Sequence, residues 1–133
     1  MSGPGAAAQA PLAGSLVGVT TLAGVPHTSR TIDLDGPAHY VDYGGPDGAP
    51  MLIGVHGLGG SHLNWAAVAP HLVERSRLVA VDLLGHGHTP TAGRTAHVDG
   101  HVDLLTRFAA DVSDRPVILM GNSLGGLVAA LTA

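Results

Sequence analysis

The run Val117-Ile118-Leu119-Met120-Gly121-Asn122-Ser123-Leu124-Gly125-Gly126 decides the fold. Its first four residues are apolar without alternation, the pattern of a short strand buried on both faces. Gly121-Asn122-Ser123-Leu124-Gly125 then fits G-x-S-x-G, in which a serine sits on a sharp strand-to-helix turn with its hydroxyl projecting. Tiny flanking residues let strand and helix approach, and the helix N-terminus turns free N–H groups toward a developing anion. With 20 glycines in 133 residues, about 0.15 such matches are expected by chance, so context decides. The apolar run precedes directly, and Leu124, Leu127, Val128 and Leu131 follow as a helical stripe.

Working outward, Met51–Val55 and Leu78–Val81 are two more nearly continuous apolar runs. They read as strands of a parallel sheet. All three runs end abruptly in polar or glycine residues: His56-Gly57, Asp82 and Gly121-Asn122-Ser123. In open α/β sheets, ligands bind outside the carboxyl ends of the strands, where these residues fall. Upstream, Thr31–Leu34 and His39–Tyr43 alternate around Asp35-Gly36-Pro37, as in a hairpin. Between the runs, Asn64 is placed to cap a helix carrying Trp65, Val68, Ala69, Leu72 and Val73. Val98, Val102, Leu105, Ala109 and Val112 form another helical stripe, with Asp103 and Arg107 an i,i+4 pair. The expected fold is α/β: a β-hairpin followed by βαβαβα with a mainly parallel sheet, the chain ending in the helix after Ser123. Residues 1–27, rich in Ala, Gly and Pro, read as a flexible leader, and residues 28–133 as the folded domain.

Composition excludes several functions. Hydrophobic residues make up 45% and charged residues 12%, which rules out a disordered chain. No apolar run is long enough to span a bilayer, and no basic residue precedes Arg30 to mark a secretory signal. The expected location is the cytoplasm. The six basic residues are scattered and the net charge is −4, which disfavours nucleic acid. All six are arginines, so a Walker phosphate loop and lysine Schiff-base chemistry are excluded. The absence of cysteine removes disulfides, thiolate catalysis and cysteine-ligated zinc.

Two further loops accompany the Ser123 turn. His56-Gly57-Leu58-Gly59-Gly60 follows the first buried strand. Acyl transfer needs two backbone donors for an oxyanion: the N–H after the nucleophile, here Leu124, and one from a neighbouring strand's loop. Leu58 is the candidate for the second. A dinucleotide-binding reading fails on spacing, because His62 stands where the third glycine belongs. Asp82-Leu83-Leu84-Gly85-His86-Gly87-His88-Thr89 reads as a loop pinned by Asp82 and its glycines. His86 and His88 are a weak metal signal without further ligands at fixed spacing, so neither metal nor cofactor is expected.

These three loops, in this order and spacing, resemble the α/β-hydrolase superfamily. The resemblance runs from about Thr31 to Ala133 and implies its fold. It implies Ser123 as nucleophile and the N–H groups of Leu58 and Leu124 as oxyanion hole. His56, Gly57, Gly59, Gly121, Asn122, Gly125, Asp82 and His86 would support the site. Haloalkane dehalogenases and epoxide hydrolases of this fold use aspartate as nucleophile, so Ser123 argues against both. The implied activity is hydrolysis of a small-molecule carboxylic ester. Asn122 and Asn64-Trp65 also resemble the meta-cleavage-product C–C bond hydrolases, which leaves that reaction as an alternative.

The superfamily's triad continues with Asp or Glu and then His, but neither type follows Ser123 here. Upstream, the resemblance gives His56 and His86 supporting places rather than the role of base. His27, His39, His62, His71, His97 and His101 read as surface or helix-face residues. A serine without a base is a poor nucleophile, so a catalytically inactive fragment or binding module is the third reading. An apolar last strand at an unpaired edge further predicts that residues 1–133 alone are insoluble or molten. Nothing in the sequence sets the oligomeric state.

Overall fold

A computed structural model describes residues 25–133; the expected leader at residues 1–27 lies almost wholly outside the described residues. Strands β1 (Thr28–Asp33) and β2 (Pro37–Gly44) form the expected hairpin, with Pro37 opening β2 rather than completing the turn. Then come β3 (Met51–Val55), a 3-10 turn (His62–Trp65), α1 (Ala69–Leu72), β4 (Arg77–Val81), α2 (Val98–Val112), β5 (Ile118–Gly121) and α3 (Leu124–Thr132). The sheet order is β1-β2-β4-β3-β5. β3 pairs in parallel with both β4 and β5, while β2 joins β4 antiparallel. Among the described residues no helix is long and apolar enough to cross a membrane.

The chain moves from β3 one way to β4, then back across β3 to β5. Right-handed crossovers in opposite directions must use opposite faces of a sheet, and the core divides accordingly. Ile53, Val55, Val79 and Val81 face one layer with Leu104, Leu105 and Phe108 of α2 and Val128 of α3. Leu52, Leu78 and Ala80 face the other, with Ala69 of α1 and Trp65 against them. Alternate residues of β3 and β4 thus fill two cores, which explains their unbroken apolar sequence.

Three expectations are corrected. The β3–β4 crossover is not one helix capped by Asn64. Ser61 is the cap: its hydroxyl accepts the Leu63 N–H, while the Asn64 side chain accepts the Ser61 N–H, a capping box on a short 3-10 turn. Pro70 cannot donate inside a helix, so it starts α1 afresh at its first turn. Second, β5 is not buried on both faces. Among the described residues it has a partner only in β3, and Ile118 is half exposed. Third, α3 turns Gly125, Val128 and Ala129 inward and leaves Leu127 and Leu131 exposed. Close approach of Gly125 to β3 selects that face over the leucine stripe.

Arg94 supplies a tie that no local pattern announces. Its guanidinium donates to the carbonyls of Leu34, Gly36, Pro37, Pro90 and Thr91. One planar five-donor group thereby fastens the hairpin turn to the loop before α2.

Candidate active site

The end of β5 turns into α3 within one residue. Ser123, at the N-cap of α3, has φ 56° and ψ −120°, outside the regions a side chain ordinarily allows. The turn requires its neighbours to be glycine. A Cβ on Gly121 would stand 2.3 Å from the Gly125 carbonyl oxygen, and one on Gly125 would stand 2.0 Å from that of Val55. Asn122 N–H donates to Val55 O at 3.1 Å, fastening the turn to the end of β3. Ser123 is exposed, and its hydroxyl has no hydrogen-bond partner among the described residues.

The loop after β3 lies against this serine. A Cβ on Gly57 would meet the Asn122 carbonyl oxygen at 3.0 Å and Ser123 Cβ at 3.2 Å. Gly59, at φ 78°, turns the loop, and the Gly60 N–H closes it onto Gly57 O at 3.0 Å. Leu58 sits at the tip with its side chain largely in solvent. Among the described residues, neither the Leu58 nor the Leu124 N–H donates a hydrogen bond. Two unpaired donors thus stand on the two segments that Gly57 and Ser123 bring together.

His56 is fully buried beneath the loop. Its Nδ1–H donates to Gly57 O at 2.7 Å, and its Nε2 accepts the Leu83 N–H at 3.0 Å. Burial pushes its imidazole below the ordinary value; the bond to Gly57 O opposes this and the nearby His86 adds to it. His86 donates to Leu84 O at 3.0 Å, and its ring lies between those of His56 and His101 at centroid distances of 5.0 and 6.1 Å. His101, facing inward from α2, is likewise lowered by burial and then by His86.

Both rings are held neutral, and the sign of the consequence is fixed. Below about pH 6.5 the unfolded chain binds protons at these rings that the folded chain refuses, so stability is full above that value and declines beneath it. Tm should therefore fall between about pH 7.5 and about pH 5.5. The NMR shifts of the His56 ring should titrate below its ordinary value; a midpoint at or above about 6.5 would refute the assignment.

Asp82, at the end of β4, is fully buried. Its carboxylate accepts the N–H of His62 at 2.7 Å, the N–H of His88 at 2.9 Å, and Nδ1–H groups of His39 at 2.7 Å and His62 at 3.0 Å. Burial alone would raise its pKa. The bonds from His39, His62 and His88 outweigh that and hold it far below the ordinary carboxylate range. Gly87 passes so near that a Cβ would meet the carboxyl carbon at 2.2 Å. Asp82 thereby pins its own loop, as expected, and also reaches β2 and the 3-10 turn, which was not.

His39 and His101 are buried rather than at the surface, and His62 is only partly exposed. β2 lies between β1 and β4 with both faces covered, so its residues 38–41 are all buried and period-two reasoning fails there. The buried Asp82 was the one available signal, because a carboxylate inside a protein needs donors. His71 and His97 are exposed as expected. No histidine among the described residues contacts the Ser123 hydroxyl. His39, His62 and Asp82 converge, with ligand atoms within 4.8 Å of one another.

The chain is similar to several known proteins. The chain is 36% identical over 85 residues to lipase LipV of Mycobacterium tuberculosis, covering 64% of this chain and 32% of the lipase. It is 37% identical over 84 residues to the pimeloyl-[acyl-carrier protein] methyl ester esterase of Aeromonas hydrophila, with 63% and 32% covered. The solved structure of a bacterial membrane phospholipase A superposes with a TM-score of 0.71 at 33% identity, covering 80% of this chain and 34% of that one. The chain therefore spans about a third of the length of these relatives. The alpha/beta hydrolase fold family matches residues 50–133, from the start of β3 through the Ser123 turn and α3. By that match the chain belongs to the α/β-hydrolase fold family.

Proposed function

We propose that this chain carries the nucleophile and oxyanion hole of a serine hydrolase acting on small-molecule carboxylic esters. The observation that carries it is the juxtaposition of an exposed, unpartnered Ser123 hydroxyl with two unpaired backbone donors, Leu58 and Leu124. Ser123 Oγ attacks the ester carbonyl as its proton passes to a general base, a group that residues 25–133 do not place in contact with it. The Leu58 and Leu124 N–H groups hold the oxyanion of the tetrahedral intermediate. Its collapse expels the alcohol, which takes up the proton, and leaves an acyl-Ser123 ester. Water then releases the acid and restores the hydroxyl. Names of relatives such as lipase and methyl ester esterase support this substrate class.

Of the residues behind the C–C hydrolase alternative, Asn64 and Trp65 have a structural explanation and Asn122 does not. Asn64 belongs to the capping box, and the Trp65 indole lies over Gly54, where a Cβ would meet it at 2.8 Å. Both residues have structural work that any member with this loop would need.

The test is active-site labelling of the protein at the length its native host makes, with a fluorophosphonate and mass readout. One adduct on Ser123, together with turnover of a short aryl ester, is expected. Turnover of a vinylogous diketone with no ester turnover would favour C–C cleavage. No adduct and no turnover would leave a binding module.

A further inference from the structure

We propose that His39, His62 and Asp82 form a site for one divalent late first-row transition ion, of which zinc is the natural probe. The inference does not depend on the chemistry at Ser123. Three elements supply the donors: β2 gives His39, the 3-10 turn after β3 gives His62, and the end of β4 gives Asp82. Their side chains are nearly inaccessible, at 6%, 13% and 0% of full exposure. Two imidazoles and a carboxylate are the borderline nitrogen and oxygen donors that zinc prefers, and softer thiolate competitors are absent from the chain.

The spacing suits an ion. The Asp82 oxygens lie 2.7 Å from His39 Nδ1 and 3.0 Å from His62 Nδ1. Ligand atoms around a tetrahedral zinc stand roughly 3.3 Å apart, so the two carboxylate–imidazole spacings open by only a few tenths of an ångström. Binding exchanges the two Nδ1–H bonds for metal bonds. Each ring loses the proton on Nδ1 and gains one on Nε2, with no net release.

A supporting shell is already present. The backbone N–H groups of His62 and His88 stay on the two Asp82 oxygens and fix the carboxylate, leaving each a lone pair for the ion. Ser29 Oγ lies against His39 Nε2, where it accepts the N–H of the metal-binding tautomer. The exposed His88 ring stands 4.8 Å from the His39 ring and 5.8 Å from that of His62. An ion held here would clamp β2 and β4 to the loop that carries the Leu58 N–H.

The native-length protein, stripped with a chelator, would be titrated with zinc alone and followed by calorimetry and thermal unfolding. One tight equivalent and a raised Tm are expected, with X-ray absorption showing imidazole nitrogen and carboxylate oxygen at about 2.0–2.2 Å. His62→Gln should weaken that equivalent at least ~10-fold, and Ser29→Ala by ~10-fold or more. His71→Gln and His97→Gln, at exposed rings, should leave it unchanged. Absence of a tight equivalent would overturn the proposal, as would equal affinity in His62→Gln. Should His62→Gln fail to fold, Ser29→Ala and the absorption spectrum of the unmodified protein still decide.

Discussion

Ser123→Ala is expected to lower hydrolysis of a short aryl ester by roughly three to six orders of magnitude, with the fold intact. The size follows from what is lost. An acyl-enzyme cannot form without Oγ, while the Leu58 and Leu124 donors remain to stabilise attack by water, so a residual rate above background should persist. The loss should fall on kcat. Alanine at φ 56° is strained much as serine is, and the exposed hydroxyl makes no hydrogen bond whose removal would cost stability. Circular dichroism and Tm should therefore match the parent. Fluorophosphonate labelling should vanish with activity. Retention of more than a tenth of the parent rate would remove Ser123 from the chemistry.

Gly125→Ala should be severely damaging, costing about 3–5 kcal/mol. Its Cβ would stand 2.0 Å from Val55 O and 2.4 Å from His56 O. Both are backbone atoms where β3 ends, so neither can swing aside. Relief would require α3 to lift from β3, which would separate Ser123 from Gly57 and open the core around Val128. Natural domains hold only about 5–15 kcal/mol in total. Loss of the cooperative unfolding transition, or of soluble protein, is the expected readout. The adjacent Gly126→Ala supplies the contrast. Its Cβ would meet nothing nearer than 3.6 Å, and alanine favours the helix, so Tm should hold or rise slightly. Equal damage from the two substitutions would contradict the packing described here.

Much of this could be read from the chain alone. The three unbroken apolar runs became β3, β4 and β5 to within a residue, and β3 and β4 need no alternation because both their faces are covered. The Ser123 turn was legible because its G-x-S-x-G spacing sits directly between an apolar run and a helical stripe. The misreadings arose where distant groups decide. Which face of α3 points inward depends on Val55 O, far away in sequence. The crossover broke at Pro70, where a missing donor outweighed the helical stripe. His39 looked like half of a polar alternation, since nothing near it announces Asp82. Arg94 serves five carbonyls from two segments, and an arginine in a loop carries no mark of that.

The backbone of Ser123 sets the order in which such a protein would decay. A non-glycine residue at φ 56°, ψ −120° costs on the order of 1–3 kcal/mol. Glycine would relieve that cost, so the serine persists only under selection for its hydroxyl. Gly121 and Gly125 are kept by sterics whether or not any reaction occurs. A lineage released from chemistry would therefore drift first from serine to glycine at position 123 and hold its neighbours. Retention of Ser123 is thus the signature of use, while retention of the surrounding glycines records only the need to fold.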